Sequence, residues 1–191
     1  MLKAWRGCLL LIAACGSADT PRAPALDAPP SAAAARAHAG GLTWDATPPL
    51  LPRIPKTQLR AAEYSLAGDA SAELLVFYFG NEPSGSIEAN VQRWLAQIEQ
   101  PDGSNTADKA KRADLRVSGL PVSTLEVGGI YTGPMVAPSA AAGATRPEAI
   151  LLGAIVSGPR GPVFFKLTGA RASVEAARDA FQQLVRSVRP E

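Results

Sequence analysis

The chain has 191 residues, with 19 Lys and Arg against 17 Asp and Glu, 47% hydrophobic residues, one histidine and two cysteines. That length accommodates one ordinary domain with extensions, and it excludes both a large multidomain enzyme and a disulfide-dense scaffold. Lys3 and Arg6 are the only charges among the first fourteen residues. Without them basic and acidic side chains balance, so no bulk field draws the chain to nucleic acid or anionic lipid, and no nucleic-acid partner is expected.

Residues 1–14 read as a secretory signal: Lys3 and Arg6 form a basic start, Cys8 to Ala14 an apolar run, and small residues lead to Cys15. The run is too short to cross a bilayer as a helix, because Gly16, Ser17, Asp19 and Pro21 follow at once. Ile12-Ala13-Ala14-Cys15 resembles the lipobox of bacterial lipoproteins. The resemblance implies that Cys15 is diacylated and becomes the first residue after cleavage, while Cys8 leaves with the peptide. It further implies a cell-envelope protein held in the membrane by acyl chains on Cys15. Gly16 in place of an aspartate implies the outer membrane where the host has one. No other cysteine would remain for a disulfide, a thiolate nucleophile or a metal site.

From residue 15 to 40 the composition is dominated by Ala and Pro, with Leu26 the only large apolar residue, so a flexible stalk is expected rather than a core. His38, the only histidine, falls in that stretch and is expected to be solvated there. Leu42, Trp44, Leu50, Leu51 and Ile54 then mark the start of a single globular domain over 41–191.

A short strand is expected near Leu42 and another over 59–66. The run from Glu73 to Phe79 is apolar on both alternating faces, which predicts a central strand covered on both sides. A turn follows at 80–85. Ile87, Val91, Trp94, Leu95 and Ile98 then recur at helical spacing behind Ser86, predicting a capped helix over 86–100 with Glu88 in its first turn. A loop is expected over 104–111, strands over 112–117 and 122–131, and a surface loop over 133–147. Strands over 149–156 and 163–168 flank a hairpin turn at 157–162, with Lys166 on the face opposite Val163, Phe165 and Leu167. The last element is an amphipathic helix over 173–188, striped by Val174, Ala177, Phe181, Leu184, Val185 and Val188.

Short links favour antiparallel pairing, so the expected class is α+β: an antiparallel sheet of about six or seven strands with two helices. The element order, with the tryptophan and proline entry at Trp44 to Pro49, resembles the PsbP-like α/β/α sandwich of anchored or lumenal accessory proteins. Residues 79–97 and 151–167 also resemble an uncharacterised family of bacterial lipoproteins with the same pattern. Together these resemblances imply a fold and an accessory role, and no catalytic motif.

Candidate chemistry is sparse. Gly80 to Ser86 has the glycine spacing of a phosphate-binding loop, but Ser86 stands where the lysine belongs and Glu82 would repel phosphate, which favours a plain turn. Asn90, Arg93 and Gln97 share one flank of the first helix beside Trp94. That flank either grips a carboxylate or sugar, with Trp94 stacking, or ties the helix edge to a neighbouring loop. A histidine triad is excluded, and no cofactor or metal is expected. Glu63, Glu73, Glu88, Glu126 and Glu148 form no recognisable acid–base set. The expected function is therefore a noncatalytic binding or accessory domain for an envelope protein or small molecule. Its rival is a carboxylate-dependent hydrolase acting on an envelope glycan.

Overall fold

The computed structural model describes residues 35–80, 86–133 and 146–191. The expected signal peptide, the lipidated Cys15, most of the stalk and nearly all of the loop over 133–147 lie outside them. Eleven strands and three helices are seen among the described residues, as β1 (Ala35–Ala39), β2 (Leu42–Ala46), β3 (Leu50–Arg53), β4 (Arg60–Leu66), β5 (Asp69–Tyr78), α1 (Ile87–Leu95), β6 (Ile98–Glu99), α2 (Thr106–Lys109), β7 (Lys111–Val117), β8 (Leu120–Tyr131), β9 (Arg146–Gly158), β10 (Gly161–Ala170), α3 (Arg171–Ser187) and β11 (Arg189–Pro190).

The main sheet is antiparallel and runs β3-β4-β5-β10-β9-β8-β6, with β7 also paired to β8. β5 and β10 sit at its centre, where both alternating faces are apolar and need cover on both sides. One side packs under α3. Trp44, Leu74, Val76, Phe165, Leu167 and the α3 stripe of Val174, Ala177, Phe181 and Leu184 form that core. The other side packs under α1, where Val91, Trp94 and Leu95 meet Val127, Leu151, Ile155 and Phe164. The expected α+β class is thus what the chain adopts, with its two long helices on opposite faces.

Three local expectations change. Strand β1 pairs with β2 from Ala35↔Ala46 to Ala39↔Leu42, so regular structure begins before the stalk's expected end at 40. His38 accordingly lies in a strand, with Nδ1 3.0 Å from the Glu191 carboxylate. Helix α1 stops at Leu95 rather than 100, because Ile98 and Glu99 pair with Tyr131 and Ile130 of β8. A sheet register outcompetes one more helical turn there, and Ile98 is buried either way. The loop over 104–111 contains α2, capped by the Asn105 side chain accepting from the Ala107 amide at 3.0 Å.

Strands β3 and β11 were not expected, being short and proline-bearing. Both are edge or terminal strands, where proline costs no ladder bond. The predicted start of α1 agrees: the Ser86 hydroxyl accepts from the Ala89 amide at 3.3 Å.

Candidate functional site

The flank expected to act together is divided by the fold. Asn90 is 2% exposed; its amide donates to the Ser86 carbonyl at 3.0 Å, and its Oδ1 accepts from Arg93 Nη1 at 2.7 Å. This ties the first turn of α1 to its own cap. Trp94 is 4% exposed and makes an edge contact with Phe164, its ring lying over Gly153. No face of that indole is open for stacking. Gln97 lies past the helix end and points into a different cluster. Of the loop with P-loop-like glycine spacing, Gly80 and Ser86 flank residues 81–85, which lie outside those described.

The cluster that Gln97 joins is centred on Lys166. In β10, Lys166 pairs with Leu75 of β5 and Gly153 of β9, which turns it to the α1 face. It is 6% exposed. Its ammonium donates to Gln97 Oε1, approaches the Tyr131 hydroxyl at 3.3 Å, and lies 5.3 Å from the centre of the Tyr131 ring. Desolvation dominates its titration and brings its pKa down to about 8, against an opposing pull from Glu73.

Glu63 and Glu73 share this sheet face, since the register pairs Glu63 with Leu75 and Ser65 with Glu73. Burial holds the Glu73 carboxyl above the usual carboxylate range. Glu63 is 1% exposed; burial works against its charge, but the Arg60 guanidinium at 2.7 Å and the Lys56 amide at 3.3 Å keep its pKa below normal. The remaining glutamates serve elsewhere: Glu126 accepts two bonds from Arg178, at 2.8 and 3.2 Å, and Glu88 sits 3.5 Å from Arg112. Among the described residues no cluster of three or more His, Cys, Asp or Glu could hold a metal ion.

Among the described residues an open groove lies on the other face. It has a volume of about 370 Å³ and runs between α3 and the strand β7. Its apolar wall consists of Leu115, Leu152, Phe181 and Val185, and Lys111, Arg178 and Arg186 stand around it. Arg178 is neutralised by Glu126 and by Glu175, the latter at 2.7 Å. The Lys111 and Arg186 side chains make no hydrogen bond or ion pair among the described residues. The groove is therefore apolar within and basic at its border.

Strand β7 itself is exposed from Lys111 to Arg116, and Leu115 is 40% exposed. It joins β8 through Ser118 and Gly119, both left-handed with φ of 49° and 81°. That is the geometry of a tight two-residue hairpin whose twist matches the strands.

No protein-family model matches the chain, and no curated protein matches it. Among solved structures it is similar to the solution structure of the cyanobacterial PsbP protein CyanoP from Synechocystis sp. PCC 6803. That match has 13% identity, a TM-score of 0.52, and covers 84% of this chain and 94% of that one. A protein of unknown function from Pseudomonas aeruginosa, PA94, matches with 13% identity and a TM-score of 0.41 over 74% of this chain and 81% of its own. At such identity the likeness to CyanoP concerns architecture alone, and the architecture of this chain is PsbP-like.

Proposed function

We propose that this chain is a lipid-anchored envelope protein whose PsbP-like domain is a noncatalytic accessory module that binds a partner along the groove between α3 and β7. The groove carries the reading, because it sets the exposed Leu115 at its mouth beside Lys111 and Arg186, whose side chains make no hydrogen bond or ion pair among the described residues. The lipobox-like Ile12-Ala13-Ala14-Cys15 supports the anchor. Two or more acyl chains give stable attachment where one is marginal. The acylated Cys15 would then be the only cysteine of the mature chain, which suits a tether and not a redox site.

The test is site-specific photo-crosslinking in the host, with a photoreactive residue in place of Leu115 and, as a control, in place of Asp179 on the exposed side of α3. A discrete adduct at 115 that is missing at 179 is expected. Equal labelling, or none at either position, contradicts binding along the groove.

A second reading, hydrolysis of an envelope glycan by paired carboxylates, draws on the opposite pKa shifts of Glu73 and Glu63. It requires a substrate to reach both groups, and Glu63 is closed off beneath Arg60 and Lys56. Burial of Glu73 and ion pairing of Glu63 account for the two shifts without catalysis. A glycan-hydrolysing activity that is lost in Glu73→Gln would favour the hydrolase instead.

A further inference from the structure

We propose that the outer edge of β7 accepts an extended, acidic segment of a partner protein as an added antiparallel strand. This inference rests on the binding reading above and names the chemistry of the partner. It starts from the hairpin. In a two-residue turn the flanking residues Val117 and Leu120 form a hydrogen-bonded pair, and the ladder alternates from there. Leu115, Ala113 and Lys111 then bond to β8, whereas the amides and carbonyls of Arg112, Asp114 and Arg116 point away from it. Among the described residues no strand pairs with that edge. Pro121, opposite Arg116, fits this phase, since at a non-bonded pair its missing N–H costs nothing on the β7 side.

Side chains specify the occupant. Arg112, Asp114 and Arg116 share one face of β7, while Lys111, Ala113 and Leu115 share the face that borders the groove. The Asp114 carboxylate is occupied, accepting from the Ser123 hydroxyl at 2.6 Å. Arg116 donates only to the Gly119 carbonyl, at 3.0 Å, and Arg112 reaches Glu88 only at 3.5 Å. Both guanidinium groups are exposed and can be engaged from outside.

An incoming strand therefore gains most from acidic residues four positions apart, opposite Arg112 and Arg116. Its two alternate positions between them should be apolar, beside Ala113 and Leu115 at the mouth of the groove.

The same pattern disfavours full-length antiparallel pairing with a second copy of this chain. Antiparallel self-pairing centred on Asp114 sets Arg112 against Arg116 twice and Asp114 against Asp114, and like charges directly opposed are destabilising. Charged edges of this kind are a known guard against self-association, and here the guard leaves an acidic partner admissible.

The experiment is fluorescence anisotropy with the full chain and a short synthetic peptide bearing glutamates four positions apart, with valines at the two alternate positions between them. Saturable binding is expected. It should weaken at least tenfold for a peptide with lysines in place of glutamates, and likewise for one N-methylated at its edge-facing amides.

On the protein side, Asp114→Pro should abolish binding, because it removes an outward N–H and no backbone bond to β8, its one loss to that strand being the side-chain bond from Ser123. The double variant Arg112→Ala with Arg116→Ala reads the charge contribution without altering the backbone, should the proline variant fail to fold. Failure of the peptide to bind overturns the proposal. So does equal affinity of the N-methylated or lysine peptide, which would mean groove filling or unspecific attraction, and so does dimerisation through β7. A crosslink at position 115 together with failure of the peptide would sink strand addition and leave the groove reading standing.

Discussion

Lys166 is the residue with the largest consequence for stability. Its ammonium is buried beneath α1 with Gln97, Tyr131 and the more distant Glu73 to compensate it among the described residues, and desolvation makes the folded state disfavour its charge. Its folded pKa of about 8 lies below the unfolded value of 10.5. Below pH 8 both states hold the proton and the cost is present in full. Between about 8 and 10.5 the unfolded chain holds a proton that the native lysine has released, so stability rises with pH. The slope approaches about 1.4 kcal/mol per unit.

Urea midpoints measured from pH 7 to 10 should therefore climb in the wild type, and this component should vanish in Lys166→Met. An identical pH profile in the two proteins would contradict the burial described here. The sequence placed Lys166 on the correct face but gave no reason to single it out. The available signal was its position in a strand with apolar or small neighbours on both faces, where a lysine has no route to solvent.

Among the elements, α1 and β9 depend on each other through one absent side chain. A Cβ at Gly153 would intrude on the Trp94 ring, and the ring is held in turn by Phe164. The close approach of helix and sheet there requires glycine. Gly153→Ala should destabilise by about 1–3 kcal/mol, the usual cost of overpacking a core. Trp94→Leu in the same chain should recover part of that loss, so that the double-mutant cycle yields a coupling of opposite sign to the single costs. Purely additive effects would show that the two positions do not touch.

Elements were legible where periodicity was strong. The apolar run of β5, the stripe of α3 and the cap at Ser86 were readable because burial on both faces, or on one helical face, leaves an unmistakable spacing. β6, β11 and the lower part of α1 were not, because two-residue strands have no period and their pairing partners are distant in sequence. The candidate site was less legible still. Asn90, Arg93, Trp94 and Gln97 share helical spacing, but the fold assigns them to a cap, a core and a buried lysine. The groove instead arises from α3 and β7, which are about sixty residues apart in the chain.

The whole molecule combines a terminal segment that resembles a lipoprotein signal with a domain of PsbP-like architecture. Within the domain the N-terminal strand β1 is paired to β2, and the C-terminal Glu191 bonds back to His38 and Arg160. Both ends of the described domain are therefore tied into it. Among the described residues the groove and the outer edge of β7 are the surfaces on which the proposed binding rests. The tether is the premise on which the proposed envelope role depends. It is tested most directly by intact mass spectrometry of the protein taken from membranes of its own host, beside a Cys15→Ala variant. A chain beginning at Cys15 and carrying a diacylglyceryl mass, absent from the variant, is the predicted result; a soluble, unmodified chain that retains residues 1–14 would contradict the account.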